Sequence, residues 1–241
     1  MTFAPIERRG WPFVITLLVL ALIGVASLGV IPLEEMLPDG VEVLRAVLLI
    51  QPAVLAIGAT FLGWWAAPKV GLDAPVIGGL TGEGDWKAAL AKAALPAAIV
   101  AAIVAAVLVT YARVTVGEFP DDPAAEGLPL APRLLYGGIS EEVISRWAIL
   151  SVIMLGLIKI KVSTMTSFWI ANLLAALLFA IGHFGVLFGV VESPSAFLIT
   201  AVVIGNMVPG LLFGWLFASR GLEAAMLAHA GGHLIAFFIL G

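Results

Sequence analysis

Three charged residues stand where a membrane-buried helix has no ordinary use for them. Glu141, Glu142 and Arg146 interrupt an apolar stretch that runs from Leu134 to Ile158. The three histidines of the chain, His183, His229 and His233, also fall in apolar surroundings. A charged group at membrane depth costs at least ~2.5–3.5 kcal/mol on insertion scales, so its presence there points to function. A glutamate can take a proton from water while neutral histidines, or a metal ion they hold, orient that water and stabilise the oxyanion. Other hydrolytic chemistries lack their residues. The chain has no cysteine, no G-x-S-x-G run and no Asp within an apolar stretch. The HExxH pattern of zinc proteases fails because Ala230 follows His229. A carboxylate base must therefore come from another helix, and Glu141 and Glu142 are the supply.

The spacing says how these groups meet. Glu142 and Arg146 are four residues apart and pair on one helix face, which leaves Glu141, turned by about 100°, to point into a bundle. His229 and His233 share a face as well, with Gly231 and Gly232 between them leaving room for a close neighbour. Counting about 1.5 Å per residue from the ends of the apolar stretches puts Glu141, His183 and His233 roughly 12–13 Å below one surface. His229 comes one turn deeper. Taken singly, each feature has a plainer reading. A buried Glu–Arg pair can be interhelical glue, a lone histidine a satisfied hydrogen bonder, and Asn172 a packing donor. The convergence of all the histidines and the intramembrane carboxylates at one level is what favours a functional centre.

The elements that must hold them are membrane helices. Of 241 residues, 62% are apolar and 12% charged, with a mean hydropathy of +1.14; soluble domains carry about 25% charge. Runs of about 20 apolar residues can cross a bilayer as helices. They lie at 10–33, 46–68, 93–112, 134–158, 162–182, 193–219 and 221–241. The fold class is therefore all-α, a polytopic bundle of about seven transmembrane helices in a single membrane domain spanning 1–241. Residues 1–130 supply leading spans and 131–241 the motif-bearing core. The stretches lack the alternation of barrel strands. Arg8, Arg9, Lys69, Lys87, Lys92, Lys159, Lys161 and Arg220 fall on one side, and only Arg45, Arg113 and Arg133 on the other. By the positive-inside rule the N-terminus is cytoplasmic. The first apolar stretch is longer than a signal-peptide core of about 7–15 residues and reads as a retained anchor. A net charge of −4 with no basic stripe excludes nucleic acid as a partner.

Smaller expectations follow for the connections. Asp85 reads as the N-cap of WKAALAKAAL, a piece that would lie along the membrane surface before the third span. Residues 117–132 form an acidic, Pro-rich outer loop. The short link at 192–194 makes its flanking spans neighbours. Pro52, Pro96 and Pro209 mark kinks, and Trp11, Trp64, Trp65 and Trp215 suit the interfacial belt.

Three motifs carry a resemblance. SEEVISRW contains Glu-Glu-x-x-x-Arg (Glu141, Glu142, Arg146), LFAIGHF contains Phe-x-x-x-His (Phe179, His183), and LAHAGGH supplies His229 and His233. In this order, on successive late helices, they resemble the CPBP family of intramembrane proteases, the CAAX-prenyl and bacteriocin-processing enzymes also called the ABI or glutamate intramembrane protease family. The resemblance covers residues 131–241. It implies that Glu141 activates water with help from His183. His229 and the residue four later would stabilise the oxyanion or contribute to a metal site, while Glu142 and Arg146 organise the motif helix. His233 departs from the Asn common at that position in the prenyl-protease branch. A Zn2+ held by Glu141, His183, His229 and His233 and a metal-free glutamate mechanism both remain open. The implied partners are a peptide or prenylated peptide and the lipid bilayer, in a prokaryotic cell membrane. Two other classes compete: a proton-coupled transporter using the same cluster, and a non-catalytic scaffold or immunity factor. The transporter calls for an inverted repeat, and none is visible.

Overall fold

A computed structural model describes residues 1, 3–31, 44–119 and 129–241. Its elements are helical, with no strand among the described residues. Helix α1 (Trp11–Ser27) ends in a 3-10 turn, Leu28–Val30. A short α2 (Arg45–Leu48) leads into α3 (Ile50–Ala66) and the turn Ala67–Val70. After α4 (Pro75–Leu80) comes α5 (Trp86–Val114). The motif segment is one rod, made of α6 (Leu130–Pro132), two π-wound stretches π1 (Arg133–Glu141) and π2 (Val143–Leu150), and α7 (Ser151–Lys159). Then follow α8 (Thr164–Gly182), α9 (Phe184–Val190), α10 (Ala196–Arg220) and α11 (Leu222–Leu240).

Among the described residues, six helical stretches are long and apolar enough to cross a membrane: Trp11–Val30, Ala46–Val70, Trp86–Val114, Thr164–Val190, Ala196–Arg220 and Leu222–Leu240. The seventh stretch of the sequence reading is the motif rod, which carries Glu141, Glu142 and Arg146 and is not one of the six.

Several local expectations change. WKAALAKAAL is no separate surface helix, because α5 runs unbroken from Trp86 through Pro96 to Val114. Asp85 does cap it, its carboxylate accepting from the backbone N–H of Lys87 and Ala88 at 3.0 and 3.1 Å. Pro52 falls in the first turn of α3, where the missing N–H leaves no helical bond unmade and no kink is required. His183 lies inside the Thr164–Val190 stretch, at the C-cap of α8, where the chain turns into α9. Of the outer loop, Asp121, Asp122 and Glu126 lie outside the described residues, while Glu118 accepts a 2.6 Å hydrogen bond from Ser195. The neighbours across residues 192–194 are as expected: α10 packs along α8.

The motif rod lies between α1, α3 and α11. Gly24 of α1 lets the rod's backbone at Leu135 come so close that any Cβ there would collide with it, and Ser140 Oγ donates to Ala21 O at 2.7 Å beside it. Trp147 is wholly buried; its indole N–H reaches the Thr60 carbonyl of α3 at 3.1 Å. Gly232 brings α11 against Val104 of α5, so the histidine-bearing helix is wedged between α5 and the rod.

The two ends of the bundle differ. At one end Arg9 holds Asp73 with two hydrogen bonds (2.6 and 3.2 Å) and also donates to the Glu83 carbonyl. Nearby, Arg8 lies over Trp64, and Lys69 and Lys159 lie over Trp65. Buried Glu223 accepts from the backbone N–H of Ile77 at 2.7 Å, tying α11 to α4. Lys92 and Arg220 flank one cleft on this same side. At the opposite end, where α1 and α5 finish and α10 begins, a cavity opens between the helices.

Candidate active site

That cavity has a volume of about 300 Å3, and its walls are mostly apolar. Glu141, His183, His229 and His233 all line it, with Phe179 and Phe213. The four groups placed at one depth by helix arithmetic therefore do meet, although they come from three separate helices. A π-wound motif helix is itself unusual, since π-winding is rare and often falls at functional sites.

Two adjacent glutamates face different surroundings. Glu141 keeps 21% of its side chain exposed, and its Oε2 stands 4.0 Å from His229 Nε2. Glu142 is 0% exposed. Its Oε1 accepts from Arg146 Nη1 at 3.1 Å and lies 2.8 Å from His229 Nδ1. The i,i+4 pairing of Glu142 with Arg146 is present as the spacing predicted. Glu142 does more than organise its own helix, because it also reaches across to α11. Arg146 is 1% exposed. Its Nη2 donates to the Gly210 carbonyl of α10 at 3.1 Å, and the rings of Phe179 and Phe213 lie 4.8 and 5.3 Å from its guanidinium carbon. A buried cation with a carboxylate, a carbonyl and two aromatic faces has the partners that burial demands.

The imidazoles are held by rings. His229 stacks on Phe213 at 4.6 Å with planes 16° apart, and on His233 at 5.2 Å and 25°. The Phe179 ring meets both His183 and His229 edge-on. His183 Nδ1 donates to the Phe179 carbonyl at 2.8 Å. Gly137 of the rod faces His229 Nε2, where even a methyl group would sit at 3.4 Å. Asn172 is the packing donor its type suggested: Nδ2 donates to Leu211 O at 3.0 Å.

A zinc ion would need Glu141, His183, His229 and His233 gathered around one point. His183 and His229 each have a fixed Nδ1 partner, as metal-bound histidines do. Yet among the described residues no three His, Asp or Glu side chains are placed to hold one ion.

Sequence reading missed Phe213, the Gly210 carbonyl, Tyr136 and Arg133, the last two also lining the cavity. Phe213 is one of 13 phenylalanines and the Gly210 contact is made by the main chain, so neither carried a sequence signal. Arg133 was counted only as a loop charge.

A polytopic helical membrane protein that gathers a carboxylate and three histidines in an internal cavity is defined by these features. Residues 124–235 match the family model described as Type II CAAX prenyl endopeptidase Rce1-like. This is the family that the three motifs resembled, and the match takes in every residue of the cluster from Glu141 to His233. The match covers the motif-bearing part of the chain, a little under half of its residues. No curated protein and no solved structure matched the chain.

Proposed function

We propose that the protein is an intramembrane endopeptidase in which Glu141 activates water against a peptide bond held in the cavity. The observation that carries this reading is the meeting of Glu141 with three histidines in one largely apolar cavity. Among the described residues no hydrogen bond holds Glu141, whereas Glu142 is held by Arg146 and His229. Water bound at its carboxylate loses a proton to it and attacks the scissile carbonyl. His183, whose Nδ1–H is taken up by the Phe179 carbonyl, offers a bare Nε2 to the same water. His233 has no ring-nitrogen partner among the described residues and is free to donate to the oxyanion. Apolar walls suit an extended apolar peptide or a prenylated one.

The basic end of the bundle faces the cytoplasm under the positive-inside rule. The cavity then opens toward the far side of a prokaryotic cell membrane. The test is cleavage of internally quenched peptides by the purified protein in lipid. Wild type cleaves and Glu141→Gln does not, with both equally folded.

A further inference from the structure

We infer that His229 is the proton carrier of the reaction rather than an oxyanion donor, and that Glu142 is the positioning residue that fixes it in this role. The argument starts from Glu142 Oε1. It already accepts a hydrogen bond from Arg146 Nη1, so it carries no proton of its own. If the carboxyl were ever protonated, the proton would sit on Oε2, which has no partner. In either state Oε1 is an acceptor. The nitrogen 2.8 Å away, His229 Nδ1, must then be the N–H of the ring. A neutral imidazole has one N–H, so Nε2 carries a bare lone pair.

That lone pair has a direction. Stacking on Phe213 and His233 holds the ring plane, and Nε2 stands beside Gly137 and 4.0 Å from Glu141 Oε2. An oxyanion needs a donor, and a bare Nε2 cannot be one. What it can do is accept. As the 4.0 Å between them closes to hydrogen-bond distance with substrate bound, the water proton taken by Glu141 passes to His229 Nε2, making an imidazolium whose Nδ1–H stays on Glu142. As the C–N bond of the tetrahedral intermediate breaks, Nε2 returns that proton to the departing nitrogen. One water is consumed, a carboxylic acid and an amine leave, and Glu141 and His229 end as they began. The charged groups facing His229 are Glu141, Glu142 and Arg146 from the rod; His183 from α8 and His233 on its own helix are the titratable neighbours. Phe213 from α10 and Phe179 from α8 are apolar.

The catalytic part of this inference rests on the peptidase reading, but the tautomer does not. With only three histidines in the chain, 15N-histidine labelling gives a spectrum assignable with His183→Gln and His233→Asn. Wild-type His229 is expected with its proton on Nδ1 and an unprotonated Nε2, read without any turnover. A proton on Nε2 overturns the tautomer, and an Nε2 bound by stoichiometrically added Zn2+ overturns the proton-carrier role. The second readout is Glu142→Gln, whose amide can present either its N–H or its C=O to Nδ1. It is expected to mix the two tautomers of His229 and to lower kcat by up to about 10^4-fold, the loss a misplaced imidazole tautomer causes in hydrolytic triads, with KM little changed. A Gln variant that mixes the tautomers and keeps wild-type kcat overturns the proton-carrier role. Absence of peptidase activity in wild type would instead count against the peptidase reading, with the tautomer still measured.

Discussion

Glu142 Oε1 and His229 Nδ1 lie 2.8 Å apart although 87 positions separate them in the chain. With Arg146 on the same oxygen, this bond joins the motif rod, α10 and α11 in one buried polar unit. Removing one partner of such a unit is costly because the others are left buried and unpaired. Arg146→Met is expected to destabilise the protein by about 3–5 kcal/mol, seen as a lower Tm in detergent. Arg146→Lys restores the charge on Glu142 without the full reach to Gly210 and should recover part of the loss. An unchanged Tm for Arg146→Met would show that the unit contributes nothing to stability.

Close backbone approach makes a second prediction. Gly24 leaves no space for a side chain against Leu135 and Ser140. Gly24→Val must push α1 off the rod, at a cost of about 1–3 kcal/mol for overpacking. Because Glu141 follows Ser140, the variant should lose activity as well as stability. Gly58, which faces open space within α3, is the control, and Gly58→Ala should leave activity unchanged and not lower stability.

The sequence made the meeting of Glu141, His183, His229 and His233 visible, and the reason is physical. In a chain with so few charges, polar groups inside apolar stretches stand out, and helix geometry converts their spacing into depth. The same logic caught the Glu142–Arg146 pair and the Asp85 cap. It could not see Phe213 stacked on His229 or the Gly210 carbonyl on Arg146, because aromatic rings and main-chain oxygens are everywhere in a membrane helix. Nor could it see that Glu142 turns toward α11, which depends on how the rod is wound. Helix ends were misjudged where polarity was the guide: Trp86–Lys92 reads as interfacial by composition but continues α5 unbroken.

The proposed sidedness is testable at the two unlike ends. The chain has no cysteine, so single cysteines can be introduced without background. Val116, 80% exposed just beyond α5, lies at the cavity end, and the exposed Lys161 at the basic end. Val116→Cys should react with a membrane-impermeant maleimide in right-side-out vesicles, and Lys161→Cys only in inverted ones. The reverse pattern would place the cavity mouth on the cytoplasmic side.

Removing an oxyanion donor commonly costs about 10^2–10^3 in kcat. His233→Ala should fall in that range. His233→Asn keeps a donor and should stay within about tenfold of wild type on the same quenched peptide. Equal loss in both variants would deny His233 the donor role.

The most direct test of the account is peptide cleavage by Glu141→Gln. Its side chain keeps the size of Glu141 and loses only the ability to take a proton. The account predicts that purified wild type in lipid cleaves an internally quenched peptide and that Glu141→Gln, with wild-type Tm, shows no cleavage above background. Wild-type rates in the folded Gln variant would contradict it.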